Sequence, residues 1–193
     1  MIIRKEYKFE NAHIVRDCST LRCSQNIHGH SYRVEVLLES NYLDNGQMVY
    51  DFGLTKLYIK EFLDSFDHAI TLWNKDNKEY LIDMKKHSKR WIELPVSPSA
   101  EQFSRIFFVA IDKILKLSTM NNNEKNVKLH SIIVHETQTG YAQCFRTDAY
   151  SELMGLIDIK DIIFSNEIEI NWSNVNFWQT ILSGNKLVTP KFV

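Results

Sequence analysis

Three histidines, at positions 13, 28 and 30 of this 193-residue chain, are the residues whose types and spacing are best suited to chemistry. His28-Gly29-His30 opens an alternating stretch, and side chains two apart on a strand share a face, so both imidazoles point the same way. The alternation continues through Tyr32, Val34, Val36 and Leu38 against Arg33, Glu35 and Glu39, with Leu37 the one apolar break on the polar side. Tyr7, Phe9, Asn11 and His13 share parity in the same manner, so a third imidazole can arrive from a neighbouring strand. Gly29 leaves room for close approach of backbone or ligand. Three histidines with a fourth position open to water or substrate are one of the standard catalytic zinc sets. Neutral imidazole also suits iron, nickel or copper, so the assignment of Zn2+ rests on its commonness. Cys23 stands shortly before the histidine pair, and Asp67-His68 lies further along.

The elements that must position these groups can be read coarsely. Residues 2–13 and 31–40 read as strands separated by a polar loop, 14–27, that carries Cys18 and Cys23. A helix is predicted over about 53–65, with Ile59, Phe62, Leu63 and Phe66 on one face, leading into Asp67-His68. Residues 74–96 are charged and irregular and read as a surface insertion. A second helix starts near 97–99, where Ser97 caps ahead of Pro98 or Ser99 forms a capping box with Gln102. Its buried face is Phe103, Ile106, Phe107, Ala110, Ile111 and Ile114. After the polar loop TMNNNEKN, residues 129–136 and 142–147 read as two more strands around Gly140. The order is ββααββ, an α+β domain with an antiparallel sheet and two helices on one face. The domain spans 1–147, and 148–193 is a C-terminal extension too hydrophobic for a disordered end and expected to pack on the core or a neighbour.

Composition narrows the class. A 44% hydrophobic content supports a real core, and no apolar run of about 18 residues exists to span a membrane. The opening residues, MIIRKEYKFENAH, enter a strand without the apolar region of a signal peptide, so a cytoplasmic location is expected. An odd number of cysteines, three, argues for reduced thiols. A formal net charge of −1 with no basic stripe disfavours binding to nucleic acid.

Six motifs, in order, then resemble one family: FENAH, a cysteine shortly before HGH, Tyr50-Asp51-Phe52, Asp67-His68, the SPSAE of 97–101, and HET at 135–137. Over roughly residues 3–147 the chain resembles the 6-pyruvoyl-tetrahydropterin synthase family, which includes bacterial carboxy-forming members. The resemblance implies the tunnelling fold, in which ββααββ subunits join their sheets into barrels within a homohexamer and active sites lie between subunits. Unpaired sheet edges, which ring closure removes, argue the same way.

The resemblance makes His13, His28 and His30 the zinc ligands, Cys23 the catalytic cysteine, Asp67 and His68 the acid/base partners, and Glu136 the carboxylate that anchors the pterin ring. Glu101 is a further candidate substrate contact. The implied reaction is a zinc-dependent carbon–carbon lyase step, converting 7,8-dihydroneopterin triphosphate to 6-carboxy-5,6,7,8-tetrahydropterin, acetaldehyde and triphosphate in queuosine synthesis. Triphosphate elimination to a pyruvoyl product needs the same zinc, base and anchor and stays open. So do a non-enzymatic zinc- or pterin-binding protein and a hydrolase using a zinc-bound water. Arg22, Arg33 and Lys8 are candidate triphosphate contacts by proximity alone.

Plainer readings stand beside each group. Cys23 can be an inert small residue, Asp67-His68 a helix end that suits the dipole, and Glu136 a surface carboxylate. His87 reads as solvated. His130 and His135 have opposite parity, so at most one of them is expected to face the site.

Overall fold

The computed structural model describes residues 1–192. Two long strands, β1 (Ile2–His13) and β2 (His28–Glu39), pair antiparallel without interruption from Ile2↔Glu39 to His13↔His28. The loop between them carries a short helix, α1 (Leu21–Gln25). Tyr7, Phe9, Asn11 and His13 of β1, and Tyr32, Val34, Val36 and Leu38 of β2, are buried on one face, as the alternation predicts.

The chain continues through α2 (Phe52–Thr55), α3 (Tyr58–Asp64), β3 (Ala69–Trp73), α4 (Lys78–His87) and β4 (Trp91–Leu94). The long helix α5 (Ala100–Leu117) then leads to β5 (Lys128–His135) and β6 (Tyr141–Phe145). The remainder holds α6 (Arg146–Ala149), a 3-10 turn at Ile159–Asp161, β7 (Ile163–Phe164), α7 (Asn166–Glu169) and α8 (Phe177–Ser183). All strands form one sheet in the order β6-β5-β2-β1-β3-β4-β7.

The ββααββ expectation describes the antiparallel half of this sheet, β6-β5-β2-β1. Beyond it, β3 joins β1 in parallel, β4 joins β3 in parallel, and β7 closes the row antiparallel. The reading of 74–96 as an irregular surface insertion is therefore corrected. Its first part is an exposed helix, α4, capped by the Asn77 side chain, but its second part is β4, with Ile92 and Leu94 fully buried in the sheet. A four-residue strand gives too few alternations to be recognised among lysines.

The predicted helix over 53–65 is broken in two. The break is at Leu57, whose ψ of −110° is not helical, and the buried Tyr7 Oη donates to the Thr55 carbonyl beside it at 2.8 Å. Its apolar stripe is nonetheless as predicted: Ile59, Phe62, Leu63 and Phe66 are all buried. On α5 the cap is Ser99, whose Oγ accepts from Gln102 N at 3.3 Å, and its six predicted core residues are buried.

His130 and His135 stand on the same face of the sheet, bonded to Glu39 and Glu35 respectively. A register shift between Leu37 and Leu38 inserts one residue in β5, which inverts the parity on which the opposite-face expectation rested. Neither is among the clustered ring nitrogens of the other three; His135 joins a charged ladder with Glu35, Arg4, Arg33 and Glu6, and His130 pairs with Glu39.

The last part of the chain packs against the helices. Trp178 stacks on Phe62 and Phe164 lies edge-on to Phe62 and Phe66. The buried Arg105 of α5 donates to the Asp148, Met154 and Gly155 carbonyls and so ties down residues 148–155. Among the described residues no helix is long and apolar enough to cross a membrane.

Candidate active site

The three histidines converge where β1 ends and β2 begins. His13 faces His28 directly across the pair and Asn11 faces His30, which puts all three imidazoles on the helix-covered face. Ring centroids are 4.5 Å apart for His13 and His28, 5.3 Å for His13 and His30, and 5.2 Å for His28 and His30. One ring nitrogen from each lies within 4.8 Å of the others. Gly29 serves the approach of backbone: a Cβ there would meet the Asn11 carbonyl oxygen at 3.2 Å. The buried Asn11 in turn bonds the Phe66 carbonyl and receives a bond from Thr71, which locks the end of β1 in place.

Backbone carbonyls set the tautomers. His13 Nδ1 donates to the Pro98 carbonyl at 2.5 Å, and His28 Nδ1 to the Asn26 carbonyl at 3.0 Å, which leaves Nε2 of each free to bind a metal. His13 is wholly buried, stacked on Phe103, and burial pushes its pKa down to about 4, with the neighbouring imidazoles acting the same way against the Pro98 bond. Burial likewise lowers the pKa of His30. The three imidazoles converge, burial disfavours protonation of His13 and His30, and backbone carbonyls orient His13 and His28; a divalent ion such as zinc requires this of its ligands, so these residues fit one.

This has a pH consequence. The unfolded chain protonates His13 as the pH falls through about 6.5, the folded chain only near 4, so in that window the unfolded state holds more protons and the metal-free fold loses stability as pH falls. Melting the metal-free wild type and a His13→Asn protein between pH 7 and 4.5 should show the wild type falling more steeply. Parallel curves would mean that His13 titrates as a solvated imidazole.

Glu136, the first residue after β5, brings its Oε1 to 3.7 Å from His13 Nε2 and 3.9 Å from His30 Nε2. Tyr32 Oη donates to that same oxygen at 3.2 Å. Tyr32 was not singled out from the sequence, although its parity with His28 and His30 was the signal for it; it is 1% exposed and packs edge-on to Phe103. The Pro98 carbonyl, as a main-chain group, carries no such signal.

The other predicted residues stand apart from the triad. Cys23 is half-buried on α1, with its amide and carbonyl tied to Thr20 and Val15, and its thiol is not among the clustered ligand atoms. Asp67 Oδ1 accepts from Glu10 N at 2.8 Å, and His68 Nδ1 donates to Asp67 Oδ2 at 2.8 Å. Burial tends to raise the Asp67 carboxyl, but the Glu10 amide, His68 and Arg90 together hold it below the usual carboxylate range. Among the described residues no hydrogen bond or ion pair joins Asp67 or His68 to the triad, and the His68 side chain is 75% exposed. Glu101 is exposed on the first turn of α5. Cys144, by contrast, is buried in the sheet, where burial pushes its thiol up to about 12 and leaves it inert.

An antiparallel-dominated sheet, one face covered by helices, with three imidazoles that could hold a metal ion at the mouth of its two longest strands, defines a class of α+β protein. Residues 2–147 match the model of the family described as 6-pyruvoyl tetrahydropterin synthase, and the chain belongs to that family. It is 41% identical, over 96% of its own length and 94% of the relative's, to the 6-carboxy-5,6,7,8-tetrahydropterin synthase of Helicobacter pylori. A Haemophilus influenzae protein of the same name is 27% identical over 73% of this chain and 96% of that one. In fold, the chain resembles an uncharacterized Wolinella succinogenes protein, with a TM-score of 0.62 at 20% identity, over 76% of this chain and 98% of that one. The 6-pyruvoyl tetrahydropterin synthase of Caenorhabditis elegans gives a TM-score of 0.52 at 20% identity, over 75% and 94% of the two chains.

Proposed function

We propose that this protein is a zinc-dependent carbon–carbon lyase that converts 7,8-dihydroneopterin triphosphate to 6-carboxy-5,6,7,8-tetrahydropterin, acetaldehyde and triphosphate, an early step of queuosine synthesis. The observation that carries this reading is the near full-length similarity to a synthase of that name, on a chain that keeps the three imidazoles and Glu136 together. Zinc held by His13, His28 and His30 would supply Lewis acidity toward the substrate's side-chain oxygens and so acidify the protons beside them.

The chain's own groups do the rest. The Glu136 carboxylate is suited to accept two donors from the amidine-like N–C–N edge of a pterin, as a charge-assisted pair, which sets the ring beside the triad. Tyr32 Oη holds that carboxylate in place. The Cys23 Sγ would move a proton between ring and side chain, and His68 Nε2 would relay it, with Asp67 fixing the imidazole through Nδ1. In a homohexamer whose sites lie between subunits, as the family resemblance implies, a second copy of the chain would present Asp67 and His68.

A Glu136→Gln protein should keep its metal but bind the pterin more weakly, raising KM by about 10- to 100-fold, since one charged pair of hydrogen bonds is worth about 1.5–3 kcal/mol. Unchanged KM would remove Glu136 from the pterin-anchoring role. The reading as a whole is tested by incubating the zinc-loaded protein with 7,8-dihydroneopterin triphosphate and identifying products by mass, with acetaldehyde measured in parallel. A 6-carboxy product with acetaldehyde is expected. A pyruvoyl product would move the chain to triphosphate elimination, and no turnover with zinc bound would leave a binding protein or hydrolase.

A further inference from the structure

Just before β4 stands Arg90, whose guanidinium makes its hydrogen bonds to main-chain carbonyls. Its Nε donates to the Asp67 carbonyl at 2.9 Å, and its Nη2 to those of Asp64 and Ser65 at 3.2 and 3.4 Å. These carbonyls belong to the last residue of α3 and the turn that follows it, where Asp67 N also donates to the Asp64 carbonyl at 3.1 Å. A planar fork holds its donors at set, spread positions toward these carbonyls, where a lysine ammonium is a single point on a flexible stem.

What this clamp holds is the turn that presents Asp67 and His68. His68 adopts a φ of 53°, in the left-handed region that few residues other than glycine occupy and that surrounding contacts help to hold. Strand β1 imposes it from one side, through Glu10 N to Asp67 Oδ1 and His68 N to the Glu10 carbonyl, both 2.8 Å. Arg90 imposes it from the other. The tail adds a brace to the same helix end: Trp172 Nε1 donates to Ser65 Oγ at 2.9 Å, and Ser65 Oγ to the Glu61 carbonyl at 3.0 Å. With the turn fixed on both sides, the His68 ring keeps Nδ1 on Asp67 while the rest of it stands in solvent.

We propose that Arg90 is a positioning residue: by clamping the carbonyls at the end of α3 it fixes the orientation in which the Asp67–His68 pair meets the substrate. The inference rests on the reading of that pair as the proton relay. It also assigns a purpose to part of the 74–96 segment, which supplies the clamp, and to the tail, which braces the same helix end.

The test compares wild type, Arg90→Met and Arg90→Lys, each loaded with zinc, for kcat, KM, bound metal and amide hydrogen exchange. Arg90→Met should lower kcat by about 30-fold with KM within about twofold, because a relay displaced by a fraction of an ångström loses rate before it loses affinity. Bound metal should not change, and the His68 and Glu10 amides should exchange faster. Arg90→Lys should recover only part of the rate. A wild-type kcat in folded Arg90→Met overturns the inference, as does a loss that tracks unfolded protein with unchanged kcat per bound metal. If the methionine protein does not fold, the lysine protein carries the same comparison. If wild type itself does not turn over the pterin triphosphate, the functional reading fails, while the exchange rate at His68 still decides whether Arg90 holds the turn.

Discussion

A His13→Ala protein is expected to retain no stoichiometric zinc after dialysis and to lose about a thousandfold or more in turnover, since the metal's Lewis acidity goes with it. The size of the effect follows from where His13 stands. It is the single candidate ligand from β1, opposite two from β2, and its ring is buried, oriented by the Pro98 carbonyl and backed by Phe103. Two imidazoles on one strand leave half of a tetrahedral coordination shell to solvent, and loss of one of three protein ligands removes most of the chelate advantage. The substitution also leaves the Pro98 carbonyl without its donor in a buried place, which costs about 1–3 kcal/mol of stability. His28→Ala, whose ring is only half-buried, separates the two effects: it should lose metal as completely with a smaller drop in melting temperature. Full metal content in His13→Ala, measured by atomic emission, would remove the triad as the metal site.

The second large effect is expected from Cys23→Ala, which should bind zinc normally and lose about a hundred- to ten-thousandfold in kcat, the range for removal of a positioned proton-transfer group. Zinc retention is expected because the Cys23 thiol lies outside the imidazole cluster. His68→Ala should behave alike, with the same intact metal. The two variants together test where the site is built. If each site takes Cys23 from one copy and Asp67–His68 from another, a co-expressed equal mixture regains about a quarter of wild-type activity, because random assembly pairs two intact halves at that frequency. A mixture as inactive as its parts would mean that both groups act on the triad of their own chain. A Cys23→Ala protein with wild-type turnover would leave the cysteine as a packing residue and favour chemistry that needs none.

Much of this was legible in the sequence because it depends on short-range periodicity. The common face of His28, His30 and Tyr32, the joining parity of His13 and the buried stripes of α3 and α5 all follow from which residues lie two, three or four positions apart, while the choice of Ser99 over Ser97 as the cap of α5 came from the fold. Glu136 was placed by family resemblance, and the fold brings it to the triad from β5, far along the chain. The parity rule failed for His130 and His135, where the irregularity opposite Leu37 and Leu38 shifts one residue and leaves no mark in composition.

The rest was decided by tertiary structure. The sequence by itself determined which side chains could form a metal centre and which faces of the strands and helices would be buried, since local alternation fixes both. Only the folded chain decided that the Pro98 carbonyl orients His13, that Arg90 grips the end of α3, that β3, β4 and β7 complete the sheet, and that Asp67 and His68 point outward from it. The physical reason is common to all four. They depend on main-chain groups and very short strands meeting across long separations in the chain, and a carbonyl oxygen or a two-residue strand looks the same in every sequence.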